Sequence, residues 1–174
     1  MRFLIVAKLP EPLAGRVEEE IQRYDRWSKR HLPPHMTIIP PFDTVLPKQT
    51  INEIIQFRCE LPISFHGWGF FNNPNDNVAF LHPGRKECER VRQEILTAIP
   101  SLNPFARSRE PDAENDVPNY HITIAWKIPD ADRSSRDSIL LQAPLEGSCT
   151  ISHLTMYRWN DGDNYWQEVA PDNL

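Results

Sequence analysis

His35-Met36-Thr37-Ile38 and His121-Ile122-Thr123-Ile124 are the two stretches on which the reading of this 174-residue chain turns. Six His and seven Thr in a chain this long would yield about a quarter of one His-x-Thr by chance. Two occur, both followed by Ile and 86 positions apart (35 to 121), close to half the chain. Side chains alternate faces along a strand, so each His shares a face with its own Thr, about 6–7 Å away. Met36 and Ile38, like Ile122 and Ile124, then turn toward packing.

Around both copies the periodicity repeats. Residues 3–9 form an apolar run of strand character. Residues 13–29 predict a helix with Val17, Ile21 and Tyr24 at helical spacing. A strand over 35–39 is closed by Pro40-Pro41. A helix over 48–57 turns Ile51, Ile54 and Ile55 inward, a strand covers 63–71, and Asn72-Asn73-Pro74-Asn75-Asp76-Asn77 composes a turn.

The second half follows suit, with a strand over 78–82 and a helix over 85–99 with Cys88, Val91, Ile95 and Ile99 on one side. A polar loop over 100–119, a strand over 120–128, a short helix over 134–141 and a strand over 149–159 come next. A turn at 161–164 then leads to a hairpin partner at 165–169. Ile63-Ser64 follows the first His by 28 positions and Ile151-Ser152 follows the second by 30. The order predicts one α+β domain over 1–174 made of two intertwined repeats, approximately 1–77 and 78–174. These are two pseudo-symmetric lobes, each an antiparallel sheet with flanking helices, around a central cleft.

Composition narrows the partners. Leu, Ile, Val and Phe supply 44 of 174 residues, enough for a core and above the roughly 20% level typical of disorder. The apolar runs are too short to cross a bilayer, and the first residues reach Lys8 too soon for a signal peptide. Cys59, Cys88 and Cys149 are odd in number and widely spaced, which fits a reducing, cytoplasmic setting with structural thiols. A net charge of −5 disfavours a grip on long duplex nucleic acid, yet leaves room for a small anion in a local pocket. With 6 Gly, the chain has neither a P-loop nor a dinucleotide fingerprint. A monomer is expected.

If the repeats meet about a twofold, two His and two Thr converge on one phosphate-sized volume. A neutral imidazole would take a proton from the attacking water or hydroxyl, and a protonated one would give a proton to the leaving oxygen. Histidine suits both roles because its reference pKa is about 6.5. The Thr hydroxyls would donate to the non-bridging oxygens as charge grows there. No carboxylate cluster flanks either motif, and the pairs lack the extra ligands of a closed zinc site, so neither metal nor cofactor is expected.

The stretches Pro34-His35-Met36-Thr37-Ile38-Ile39-Pro40-Pro41-Phe42 and Tyr120-His121-Ile122-Thr123-Ile124-Ala125 resemble the paired motifs of the 2H phosphoesterase superfamily, the 2′-5′ RNA ligase-like proteins. The likeness in order and length covers nearly the whole chain, and the Pro-Pro-Phe resembles that of small bacterial members. It implies metal-independent cleavage of 2′,3′-cyclic phosphates, 2′-5′ linkages or related nucleotides and RNA ends, with ligation in some members. It also implies catalytic roles for His35 and His121 and phosphate binding by Thr37 and Thr123. In ring opening it suggests the C-terminal His, often the base in the family, as base and the N-terminal one as acid, with near-symmetry letting the roles swap with direction. The substrate, a nucleotide or an RNA terminus, stays open.

Many RNA-acting members carry extra Arg near the site, and this acidic chain departs from them. Lys127, six past His121, shares its face by strand alternation but lies about 20 Å along the strand. Arg107 and Arg109, in the long loop, are candidate substrate contacts, with solvated charges as the plainer reading. Tyr157 and Tyr165, on the terminal hairpin, are candidates for the ligand, while Phe42, Trp68, Phe70, Tyr120, Trp126, Trp159 and Trp166 read mainly as packing. His31, His66, His82 and His153 lack matched partners and read as structural or solvent-facing. Two rivals remain: a non-catalytic nucleotide or RNA-end sensor on the same scaffold, and a zinc protein using the histidines.

Overall fold

The computed structural model describes residues 1–25, 32–71, 77–83, 85–105, 121–129, 145–160, 162 and 165–170. Strand β1 (Arg2–Lys8) leads to helix α1 (Leu13–Tyr24), β2 (His35–Asp43), α2 (Lys48–Gln56) and β3 (Arg58–Phe71). Then come β4 (Asn77–Pro83), α3 (Arg85–Ala98), a 3-10 turn (Pro100–Leu102), β5 (Ile122–Ile128), β6 (Gly147–His153), β7 (Thr155–Asn160) and β8 (Tyr165–Glu168). The α+β class and the antiparallel pairing are as expected. The strands join in the order β6-β3-β4-β5-β2-β1-β7-β8, so the two expected sheets are continuous through β5 and β2.

The helices are amphipathic and share one core. Leu13, Val17 and Ile21 of α1, Ile51 and Ile54 of α2, and Val91 and Ile95 of α3 cluster with Ile5, Ala7, Met36, Ile38, Ile122, Ile124 and Met156 of the strands. Burying such side chains contributes about 1.5–3 kcal/mol each, which fixes the inward face of the strands that carry them. Arg90 of α3 donates to the Pro62 carbonyl, tying that helix to β3.

Four boundaries differ from expectation. Helix α1 ends at Tyr24, where Asp25 turns extended (φ −85°, ψ 92°), and the expected continuation falls on residues 26–31, outside the described set. Strand β2 runs through Pro40-Pro41 instead of stopping. Proline has no N–H to give, but β2 meets β5 only at Met36↔Ile122 among the described residues, so that edge beyond Met36 needs no donor. Strand β3 begins five residues early and carries Pro62 for a related reason, since its first half pairs with β6 and its last seven residues with β4. The expected strand over 149–159 is two, β6 and β7, parted at Leu154. The expected helix over 134–141 and the turn at 72–76 lie outside the described residues.

The register has an internal regularity. Met36 pairs with Ile122, an offset of 86, the same as between the two His. Pro62 pairs with Thr150, an offset of 88. Strand β3 runs from β6 to β4, and the β6–β7 segment runs from β3 to β1. Each long segment therefore starts beside the other and ends beside the opposite half.

Candidate active site

The pairing of Met36 with Ile122 determines the site. Both side chains are 1% exposed and belong to the core. Alternation turns His35, Thr37, His121 and Thr123 to the other face, where each is half-buried. Carrying the antiparallel register one residue either way sets His35 across from Thr123 and Thr37 across from His121. Residues directly opposite have Cβ atoms about 4.5–5.5 Å apart, and the two His, on the diagonal, stand about 7–8 Å apart. One phosphoryl group fits that span.

Each motif has its own wall. On β1, Val6 pairs with Thr37 and Lys8 with His35. On β4, Phe80 pairs with Thr123. The Phe80 ring leans on His121, with centroids 4.9 Å apart and planes at 50°. The ring also lies over its partner Gly69 of β3, which has no side chain: a Cβ at 69 would meet the Phe80 ring at 2.1 Å. Gly69→Ala should therefore displace Phe80, cost about 1–3 kcal/mol of stability and lower kcat, with Phe80→Leu in the same chain restoring part of both. Chemical denaturation and turnover of the double variant check this.

His35 is oriented by its own chain. Its Nδ1 lies 2.8 Å from the Pro33 carbonyl, which can only accept, so Nδ1–H donates and Nε2 is the ring nitrogen able to exchange a proton. Pro33-Pro34, which the sequence offers only as a helix stop, supplies this carbonyl and a second one, at Pro34, that accepts from Leu9 N at 3.2 Å.

Lys8, which the sequence does not single out, stands across from His35 on the motif face. Its Nζ is 2.6 Å from Glu168 Oε2 and 5.9 Å from the centre of the Tyr157 ring. Leu4↔Tyr157 and Tyr157↔Glu168 put these groups on the same face as His35. Tyr157, expected as a ligand contact, is 4% exposed and packs on Leu4 and Val6, which leaves little of it for a ligand to touch. Burial, reinforced by Glu168, raises its phenol to about 12. The neutral phenol favours the folded state, so this stability is complete below pH 10 and is lost as pH climbs from 10 toward 12. Tyr157→Phe should flatten that alkaline fall, as read by unfolding midpoints against pH. Tyr165, the other hairpin candidate, pairs with Asn160 and by alternation faces away from Tyr157.

Strict alternation does not carry from His121 to Lys127: register shifts lie between Ala79 and Phe80 and between Asn77 and Val78, and Lys127 adopts φ 61°. Val78 pairs with Trp126 as Phe80 pairs with Thr123, so Trp126, 41% exposed, shares the motif face. Lys127 folds back over the Trp126 ring at 4.8 Å. Arg107, Arg109, Tyr120 and His31 lie outside the described residues, as do the side chains of His66, His82 and Cys88. His153 is exposed and lies 2.9 Å from Ser152 Oγ. Burial raises the thiols of Cys59 and Cys149, the latter to about 11, in keeping with structural roles.

Among the described residues no three His, Cys, Asp or Glu side chains gather as a metal cluster. No described helix is long and apolar enough to cross a membrane. An apolar cavity lined by Phe3, Leu46, Ile51 and Val169 includes none of the four motif residues. The paired motifs, which carry groups able to move protons, mark the chemistry better than this cavity does.

Residues 9–163 match the family model of the 2′-5′ RNA ligase superfamily. No curated protein matches the chain. Among solved structures, the crystal structure of TT0787 of Thermus thermophilus is similar, with a TM-score of 0.58 at 13% identity, covering 98% of this chain and 96% of that one. Usb1 of Kluyveromyces marxianus aligns at a TM-score of 0.47 and 13% identity, over 89% of this chain and 92% of its own.

Proposed function

The chain belongs to the 2′-5′ RNA ligase superfamily, the 2H phosphoesterases, and we propose that it is a metal-independent phosphodiesterase for 2′,3′-cyclic phosphates or 2′-5′-linked RNA ends or nucleotides. The scaffold is read as two intertwined repeats acting as a monomer, with catalytic His35 and His121 and phosphate-binding Thr37 and Thr123. Membership in itself carries a phosphodiesterase- or ligase-type activity. The observation that carries the finer reading is the Met36↔Ile122 register, which leaves both His-x-Thr pairs on one face across one strand seam.

In ring opening of a 2′,3′-cyclic phosphate, one imidazole removes a proton from water as its oxygen bonds to phosphorus. The bond to the 2′ or 3′ oxygen breaks, and the other imidazolium protonates that oxygen. The two hydroxyls donate to the non-bridging oxygens, whose charge is greatest in the transition state. The Pro33 carbonyl supports this by holding His35 in the tautomer whose Nε2 exchanges the proton. Trp126 offers a ring on the same face for a base to stack on.

The test is a panel of 2′,3′-cyclic, 3′,5′-cyclic and 2′-5′-linked substrates assayed in EDTA, with chromatographic identification of products. Hydrolysis of a 2′,3′-cyclic or 2′-5′-linked substrate with a bell-shaped pH profile is expected. Binding without product would favour a sensor, and loss of activity with chelator a zinc protein.

A further inference from the structure

We propose that Lys8 is a specificity-determining residue, which takes a second phosphate on a substrate whose reacting phosphate sits at the two His-x-Thr pairs. This rests on the function proposed above and narrows its substrate class to nucleotides or RNA termini that carry another phosphate beside the reacting one.

The argument is one of reach. Lys8 stands directly across from His35 on the motif face. Its ammonium is drawn toward β7 and β8, 5.9 Å from the centre of the Tyr157 ring and bonded to Glu168. Strands lie about 4.8 Å apart, so a group above β7 is about 10 Å sideways from the row of β2, two strands away, and Tyr157 pairs at the level of Leu4, four residues along β1 from Lys8. That is too far to touch a phosphate held between His35 and Thr123, and it suits the next phosphate of a nucleotide. Leu4, Val6 and Tyr157 make an uncharged floor beneath the ammonium, with the phenol neutral through any ordinary pH range.

Glu168 is the placeholder. Its side chain is 52% exposed and that of Lys8 31%, and an ion pair this open adds little to stability. A phosphate monoester brings up to two charges and three acceptor oxygens to the same spot, so it displaces one carboxylate at small cost.

The experiment compares one nucleoside 2′,3′-cyclic phosphate with and without a 5′-phosphate. The native protein should favour the 5′-phosphorylated form about tenfold in kcat/KM, mostly through KM, as one charge-assisted contact allows. Lys8→Gln should lose about tenfold more on that form than on the bare one, Lys8→Arg should keep the preference, and Glu168→Gln should keep or increase it. A native protein without the preference, or an equal loss on both substrates in Lys8→Gln, overturns the proposal. A second arm measures binding of a nucleoside 3′,5′-bisphosphate against the 3′-monophosphate by calorimetry. If neither cyclic substrate is turned over but the bisphosphate still binds more tightly in a Lys8-dependent way, hydrolysis fails while Lys8 stands. If Lys8 alters neither binding nor turnover selectively, its bond to Glu168 is a structural tie between strands and nothing more.

Discussion

Replacing either His35 or His121 by alanine is expected to lower kcat on a 2′,3′-cyclic substrate by about 10²–10⁴-fold, the contribution of one positioned acid or base. Both rings are half-buried, so the fold should survive and the thermal midpoint should move little. The double variant should be scarcely slower than either single one, because the two groups serve one proton inventory and their losses do not multiply. A sharper probe uses the bond to Pro33. Asparagine at 35 can put its Nδ2 near the place of the imidazole Nδ1 and keep the hydrogen bond to the carbonyl, yet it cannot shuttle a proton. His35→Asn should therefore match His35→Ala in rate while matching the native chain in stability. The native pH profile should have two limbs and each single variant should lose one. A variant that retained both limbs and most of the rate would end the two-histidine reading.

Much of the fold is legible in the sequence, for reasons that differ by element. The helices are visible because Val17, Ile21, Val91 and Ile95 recur with the helical period, and all four are buried in the shared core. The terminal hairpin is visible because Asp161-Gly162-Asp163-Asn164 has turn composition between two aromatic runs, and Trp159 and Trp166 do pair, with rings 5.2 Å apart. That the motif side chains share a face follows from alternation alone. Their mutual placement does not, because it depends on which strand lies beside β2, and no local pattern encodes that.

Proline is a weaker stop than its sequence context suggests. Its missing N–H matters only where a neighbouring strand wants a donor, and the edges at Pro40, Pro41 and Pro62 make no such demand. Lys8 is hidden for a related reason: along the chain it only ends an apolar run, and its nearness to His35 exists only once β1 and β2 are in register. Lys127 shows the opposite failure, since a rule of strict alternation does not survive the register shifts on the way to it.

The hydroxyls give the second large effect. Thr37→Val and Thr123→Val preserve shape and β-branching and remove one donor each, so each should cost about 10²–10³-fold in kcat if the donor meets charge that develops in the transition state. Ground-state binding should suffer less, and KM should rise by a smaller factor than kcat falls. Thr→Ser at either place keeps the donor and should recover most of the rate. The cross-strand register adds a stricter condition. His35 stands opposite Thr123 and His121 opposite Thr37, so each imidazole lies beside the other motif's hydroxyl. Combining His35→Ala with Thr123→Val should then be strongly non-additive, with the hydroxyl mattering little once its neighbouring proton carrier is gone. If the paired changes multiplied instead, the two groups would be serving separate events, and the notion of a single phosphate shared across the β2–β5 seam would have to be abandoned.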